Sequence, residues 1–112
     1  MLNISENSDA EDLETLAFVV HALTGLPTTV RSLNEKGIRM EKGEIMDRDY
    51  TSPVLEEVLR TNEIIRISPL EGPYRRKPVV ASPIRGKDGK VVASISVIDL
   101  HTVLDTSSTS KK

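Results

Sequence analysis

The hydrophobic residues near the N-terminus recur at helical spacing and predict a first helix. Ser8-Asp9-Ala10-Glu11 has the composition of a capping box in which Ser8 is the N-cap and Glu11 returns to its backbone N–H. Gly25 and Pro27 end the pattern, because glycine accepts a left-handed conformation and proline cannot continue a helix. Phe18 and Val19 widen the apolar face, so we expect a well-buried helix. That face consists of Leu13, Leu16, Ala17, Val20 and Leu23.

Alternating and β-branched segments then predict strands, with a second helix between them. Segments 28–33 and 38–42 predict a hairpin about the turn 34–37, and segment 44–50 is expected to be a connection. Ser52-Pro53 opens the second helix, since proline loses nothing at the first helical position, and Asn62 ends it. A strand at 63–68 and a loop at 69–77 follow.

The strongest β signal is a terminal hairpin. Segments 78–85 and 90–100 flank Gly86-Lys87-Asp88-Gly89, which has the composition of a hairpin turn. On the second arm we expect Val91, Ala93, Ile95 and Val97 to face the core. The other face carries Val92, Ser94, Ser96 and Ile98, and its small side chains suit solvent or a partner sheet.

These elements predict one α+β domain. The order is α-β-β-α-β-β-β, which favours an antiparallel sheet of about five strands with the two main helices on one face. We expect a flexible lead at 1–7, the domain at 8–105 with a short helical turn at 101–105, and a disordered tail at 106–112 that has no apolar anchor.

Composition excludes several classes of function. The 112 residues carry a net charge of −2, so no strong positive field is available to hold nucleic acid. Only three aromatic residues, Phe18, Tyr50 and Tyr74, are available for base stacking. There is no cysteine for disulfides or thiolate metal sites, and no apolar run is long enough to span a membrane. We therefore expect a cytoplasmic protein without nucleic-acid or membrane partners.

The terminal hairpin at 78–99 resembles the last two strands of PAS-, GAF- and Cache-type sensory domains. Its apolar arm, proline, Asp-Gly turn and second apolar arm ending on Asp99 are the residues that carry this resemblance. It implies a PAS/GAF/profilin-like fold. The element order is also similar to that of roadblock-type dimerising domains, and a shared fold does not determine function.

Nearly the whole chain resembles a small archaeal family of unknown function found in methanogens. The segments that carry the resemblance are 23–27, with the sequence Leu-Thr-Gly-Leu-Pro, 37–43, with Gly-Ile-Arg-Met-Glu-Lys-Gly, and the terminal hairpin. The resemblance implies kinship of fold to sensory domains and no assigned chemistry. It therefore carries over no functional residues.

Motifs for catalysis or metal binding are missing. His21 lies beside an apolar helical stripe and is expected to be a boundary histidine, while Asp99 and His101 supply at most two of the three or four ligands that a metal site needs. Asp47 and Asp49 resemble the start of a calcium loop, but its sixth and twelfth positions hold Ser and Val. We predict no catalytic residue, no metal site and no cofactor.

One loop is a candidate binding site. Tyr74, Arg75, Arg76 and Lys77 precede a strand in an otherwise charge-balanced chain, and arginine forks hold carboxylates and phosphates. The loop is therefore a candidate site for a small anionic metabolite, against the alternative of a solvated charged loop. Three further arginines, Arg31, Arg39 and Arg66, lie on predicted strands and need partners wherever they point inward.

Two functions follow as hypotheses. The first is a non-catalytic ligand-sensing or regulatory domain of PAS/GAF-like type. The second is a roadblock-like dimerisation or scaffold module without a ligand, which the small-residue face of the terminal strand would serve. A homodimer or a partner protein is expected in either case.

Overall fold

The computed structural model of the chain describes residues 3–100. The expected helical turn at 101–105 and the tail at 106–112 lie outside these residues, as do the first two residues of the predicted lead. Within this range, two helices are each followed by three strands, in the order α1(Ala10–Thr24), β1(Thr28–Ser32), β2(Gly37–Glu41), β3(Glu44–Tyr50), α2(Pro53–Thr61), β4(Ile65–Ile67), β5(Val79–Arg85) and β6(Val91–Ile98).

The strands form one antiparallel sheet in the order β3-β2-β1-β6-β5-β4, so the first and last strands meet at its centre. The α+β class and the antiparallel sheet are confirmed, but the expected count of about five strands is wrong. The segment 44–50, predicted as a connection, is the edge strand β3 and pairs with β2. Because β3 is largely exposed and carries charged residues, its sequence lacks the apolar alternation typical of a strand.

The two helices pack on opposite faces of the sheet. Val30 of β1 lies opposite Ile38 and Ile95, and these three side chains share the face that α1 covers through Leu13 and Ala17; we call it the α1 face. Val79 lies opposite Ile98, and with Ala81 this pair forms the α2 face, which α2 covers through Val54 and Val58. The expectation of both helices on one face is therefore wrong.

Serine residues of β6 form part of the α2 face. Ser94, Ser96 and Ile98 of β6 were expected to face solvent or a partner sheet, yet all three are buried on the α2 face. The Ser94 hydroxyl donates to the Leu55 carbonyl of α2 at 3.1 Å. A buried hydroxyl with a hydrogen-bond partner costs little, and its small size lets the helix backbone approach the sheet.

The helix ends follow the sequence signals with one shift. Gly25 and Asn62 both take the left-handed conformation as C-caps, as predicted. The N-cap of α1 is Asp9, which forms the capping box with Asp12, and not Ser8. Ser8 is buried, and its hydroxyl already accepts the Ser5 N–H at 2.9 Å.

Helix α1 is less buried than its apolar stripe predicted. Phe18, Val19 and Leu23 are all exposed, because a helix on a single sheet covers one narrow stripe of its surface.

Ile4, within the predicted lead, packs against the core of the α1 face. No helix within residues 3–100 has the length and hydropathy to cross a bilayer.

Candidate functional site

A cavity of about 380 Å³ lies on the α2 face, between the start of α2, the loop 69–77 and the sheet. Its volume falls in the range typical of small-molecule sites, and its wall is mostly apolar. The lining residues are Tyr50, Thr51, Ser52, Pro53, Val54, Ile67, Pro69, Leu70, Glu71, Gly72, Pro73, Tyr74, Val79 and Ser96.

One wall of the cavity is the first turn of α2. Ser52 is the N-cap, and its hydroxyl accepts the Leu55 N–H at 3.1 Å. Pro53 takes the first helical position, where its lack of an N–H costs nothing. This start directs Val54 toward Val79 of the sheet, so the two side chains form the apolar inner wall.

The opposite wall is the loop 69–77, which closes on itself. The Arg76 N–H donates to the Pro69 carbonyl at 2.8 Å, and the Lys77 N–H donates to the Tyr74 carbonyl at 3.0 Å. Arg76 has a φ of 63°, a left-handed conformation that turns the chain at this point. These contacts give the loop a compact shape in which Tyr74 is buried while Arg75, Arg76 and Lys77 are exposed.

Tyr74 ties this loop to the far half of the sheet. Its hydroxyl donates to Glu41 Oε2 at 2.7 Å, and the same carboxylate oxygen accepts from Arg39 Nη1 at 2.9 Å. The Arg39 guanidinium lies 5.9 Å from the centre of the Tyr74 ring, within cation–π range. Glu41 and Arg39 neutralise each other, so this latch, formed by Arg39, Glu41 and Tyr74, carries no net charge.

Burial changes the acidity of both tyrosines. Burial, and then the hydrogen bond to Glu41, raise the pKa of Tyr74 well above its usual value near 10. Burial also raises the pKa of Tyr50, against the opposing effects of Ser52 and Arg39. Both phenols are therefore neutral hydrogen-bonding groups at physiological pH.

Ser96 lies at the floor of the cavity, and its hydroxyl meets the buried hydroxyl of Thr29 behind it. Thr29 Oγ1 lies 2.5 Å from Ser96 Oγ, across the pairing of β1 with β6. Thr29 is 1% exposed and Ser96 is 4% exposed, and Ser96 lines the cavity. The floor is thus one of the few polar points on an otherwise apolar wall.

The four residues of the predicted binding loop do not all lie at the cavity. Tyr74 lines the cavity, whereas Arg75, Arg76 and Lys77 point to solvent and are not among its lining residues. An anion site on these three basic residues stays a prediction. No sequence signal marked Tyr50, Ser96 or Val54 as lining residues, because they come from three separate elements and no local motif links them.

The inward-pointing arginines have the partners that burial requires. Arg31 Nη1 donates to Thr51 Oγ1 at 2.8 Å, and its other donors reach the carbonyls of Ser32 and Leu33. Arg39 is paired with Glu41 as described. Arg66 is exposed on β4.

His21 connects α1 to the turn between β2 and β3. Its Nδ1 lies 2.7 Å from the Leu26 carbonyl, and the Gly43 N–H donates to its Nε2 at 2.8 Å. Nδ1 is therefore the donor and Nε2 the acceptor, as in a neutral imidazole. Both ring nitrogens are used within the fold, which gives His21 a structural role; across residues 3–100 no three His, Asp or Glu side chains cluster as a metal site would need.

A larger depression of about 560 Å³ lies beside the start of α1, but it is a weaker candidate. It is a shallow surface feature lined mainly by charged side chains, among them Glu11, Lys36 and Arg48. A shallow, charged surface binds small molecules less well than a concave apolar cavity.

A Tyr74→Phe variant tests the latch. Loss of the hydrogen bond to Glu41 should lower the free energy of unfolding by about 1–3 kcal/mol at pH 7. Because the folded-state pKa of Tyr74 is raised, its contribution is complete below the unfolded-state pKa near 10 and is lost progressively as pH rises from there toward the folded-state pKa. Urea titrations should therefore show a gap between wild type and variant that narrows above pH 10.

Tyr50 is present in both proteins, so the comparison isolates Tyr74. A gap that stays constant up to pH 11 would show that the Tyr74 proton is not held by the fold.

The fold and the cavity define the class: a small α+β protein with a six-stranded antiparallel sheet, one helix on each face and a cavity under the loop 69–77. Residues 20–101 match the family described as "Uncharacterized protein conserved in archaea (DUF2111)", and the chain belongs to this family. It is also 42% identical, over 101 residues, to "Uncharacterized protein MJ0405" of Methanocaldococcus jannaschii, a match that covers 89% of this chain and 76% of the relative. No solved structure matches the chain.

Proposed function

We propose that this protein is a non-catalytic ligand-sensing or regulatory domain of PAS/GAF-like type, with its ligand held in the cavity under the loop 69–77. The observation that carries the proposal is the cavity itself, which joins an apolar wall to a few convergent polar groups. This combination is typical of small-molecule sites.

The size of the cavity and the composition of its mouth support binding. An apolar cavity of about 150 Å³ is enough to take up benzene, and this one is about 380 Å³. At its mouth, Leu70 is 84% exposed and Ile67 is 49% exposed. A bound ligand would remove part of this apolar surface from water, which favours binding.

The latch offers a route from ligand to surface. If contact between a ligand and Tyr74 favours a loop in which the hydrogen bond to Glu41 is broken, binding shifts the loop toward that arrangement, because only a difference in interaction energy shifts a conformational equilibrium. The exposed segment Arg75–Lys77 follows Tyr74 directly and would move with it. A partner protein, or the small anion expected from the sequence, would then meet these basic residues in a ligand-dependent arrangement.

The alternative of a dimerisation module loses the surface that suggested it, since Ser94, Ser96 and Ile98 are buried beneath α2. A homodimer remains a prediction, without a defined interface.

Amide NMR with a small probe tests the proposal. Acetophenone, added to millimolar concentration, should shift the backbone amides of Val54, Val79 and Ser96 and leave Ile38 on the α1 face unchanged. Inorganic phosphate, added separately, tests the anion prediction through the amides of residues 75–77.

A Val54→Phe variant should fill the cavity and abolish the acetophenone shifts, whereas Val19→Phe on the exposed side of α1 should not. The amide spectrum of each variant reports whether it has folded. If neither acetophenone nor the apolar probe ethylbenzene moves the cavity amides in wild type, the cavity is not a ligand site and the proposal fails.

A further inference from the structure

We infer that the cavity takes an uncharged, mainly apolar ligand that places a hydrogen-bond acceptor, such as a carbonyl or ether oxygen, on the Ser96 hydroxyl. This inference rests on the proposed function and adds the chemical class of the ligand. It is carried by the hydroxyl pair at the floor of the cavity and by the charges around it.

The Thr29 and Ser96 hydroxyls together have two hydrogens, and the hydrogen bond between them uses only one. Their oxygens lie 2.5 Å apart. Within residues 3–100 neither hydroxyl makes a second hydrogen bond. One hydroxyl hydrogen of the pair therefore has no protein acceptor among these residues and is available to a ligand that enters the cavity.

Of the two hydroxyls, that of Ser96 is the one placed to donate a hydrogen bond to the ligand. Ser96 lines the cavity, whereas Thr29 does not. If Thr29 donates to Ser96, then Ser96 donates into the cavity, and both hydrogens are used once a ligand oxygen is present. Such a chain of hydroxyls polarises along its length, so each bond strengthens the next.

The charged side chains around the cavity favour a neutral ligand over an anion at its floor. Among residues 3–100, the one carboxylate on the lining is Glu71, and no lysine or arginine of this range lines the cavity. The nearby Arg39 is already paired with Glu41 at 2.9 Å. A buried ligand carboxylate would lack a free cation, and an unpaired buried charge is costly, whereas a neutral carbonyl meets the Ser96 donor without this penalty.

A matched pair of probes tests the inference: acetophenone, which has a carbonyl acceptor, and ethylbenzene, which has a similar shape and none. We expect Ser96→Ala to weaken acetophenone binding by about three- to tenfold, the range for one neutral hydrogen bond, and to leave ethylbenzene binding unchanged. Dissociation constants come from amide shifts of Val54 and Val79.

Two further variants control the experiment. Ser82→Ala removes a hydroxyl of the same strand pair that bonds to the Pro83 carbonyl outside the cavity, and it should change neither dissociation constant. Ser96→Thr keeps the hydroxyl and should keep the preference for acetophenone. It also provides a readout if Ser96→Ala proves unstable.

The two proposals fail in different ways. Equal acetophenone affinity in wild type and Ser96→Ala, with both probes bound in the cavity, overturns the acceptor inference and leaves the cavity as a binding site. Absence of any cavity shift with either probe overturns the proposed function.

Discussion

A Gly37→Ala variant is expected to lose about 3 kcal/mol or more of folding free energy, and to unfold wherever the parent stability is near the low end for a domain. A Cβ at position 37 would lie 1.9 Å from the Val30 carbonyl oxygen and 2.8 Å from the Arg31 Cα. Both neighbours are backbone atoms of β1, so relief of the clash requires β1 and β2 to separate. Urea denaturation followed by circular dichroism measures the loss.

Gly86→Ala is the matched control. A Cβ there comes no closer than 3.4 Å to another atom, and that atom belongs to the side chain of Asp88. Its effect should stay within about 0.5 kcal/mol. Equal stabilities of the Gly37 and Gly86 variants would contradict the close approach of β1 and β2.

Alanine substitution of Ile38 and of Ile98 should each lower the free energy of unfolding by about 2–5 kcal/mol. Both side chains are fully buried, but they lie on opposite faces, Ile38 under α1 and Ile98 under α2. A sheet with a single packed face would need only one of them. Chemical denaturation of the two variants therefore tests whether the protein has two cores.

Ile64→Ala makes the same chemical change at a side chain that is 57% exposed, and it should be nearly neutral. If either buried variant proved as mild as this control, the corresponding helix would not be packed on the sheet as described.

The elements that local chemistry governs were predictable from the residues. Pro53 at the first position of α2, the left-handed caps Gly25 and Asn62, and the turn between β5 and β6 all depend on neighbours a few positions away. The edge strand β3 was missed because a strand with one free edge and exposed faces has no apolar period to detect.

The candidate site was only partly predictable. Tyr74 was identified from its place in a loop beside basic residues, although its partners Glu41 and Arg39 come from β2, more than thirty positions earlier. Ser96 was assigned to an outer face because serine is usually exposed. Its hydrogen bond to Thr29 crosses 67 positions of sequence, a distance that no local pattern reports.

The amino-acid sequence alone determined where most helices and strands begin and which side chains alternate, because backbone propensity and capping act over a few positions. It also determined that no cysteine chemistry is available. Tertiary packing alone decided that the helices lie on opposite faces, that Ser94 and Ser96 are buried, and that a cavity remains beneath the loop 69–77. The physical reason is that the burial of a side chain depends on what the distant chain lays over it. A serine that a helix covers and a serine that faces water are the same residue in the sequence, so residue type alone does not report which of them is buried.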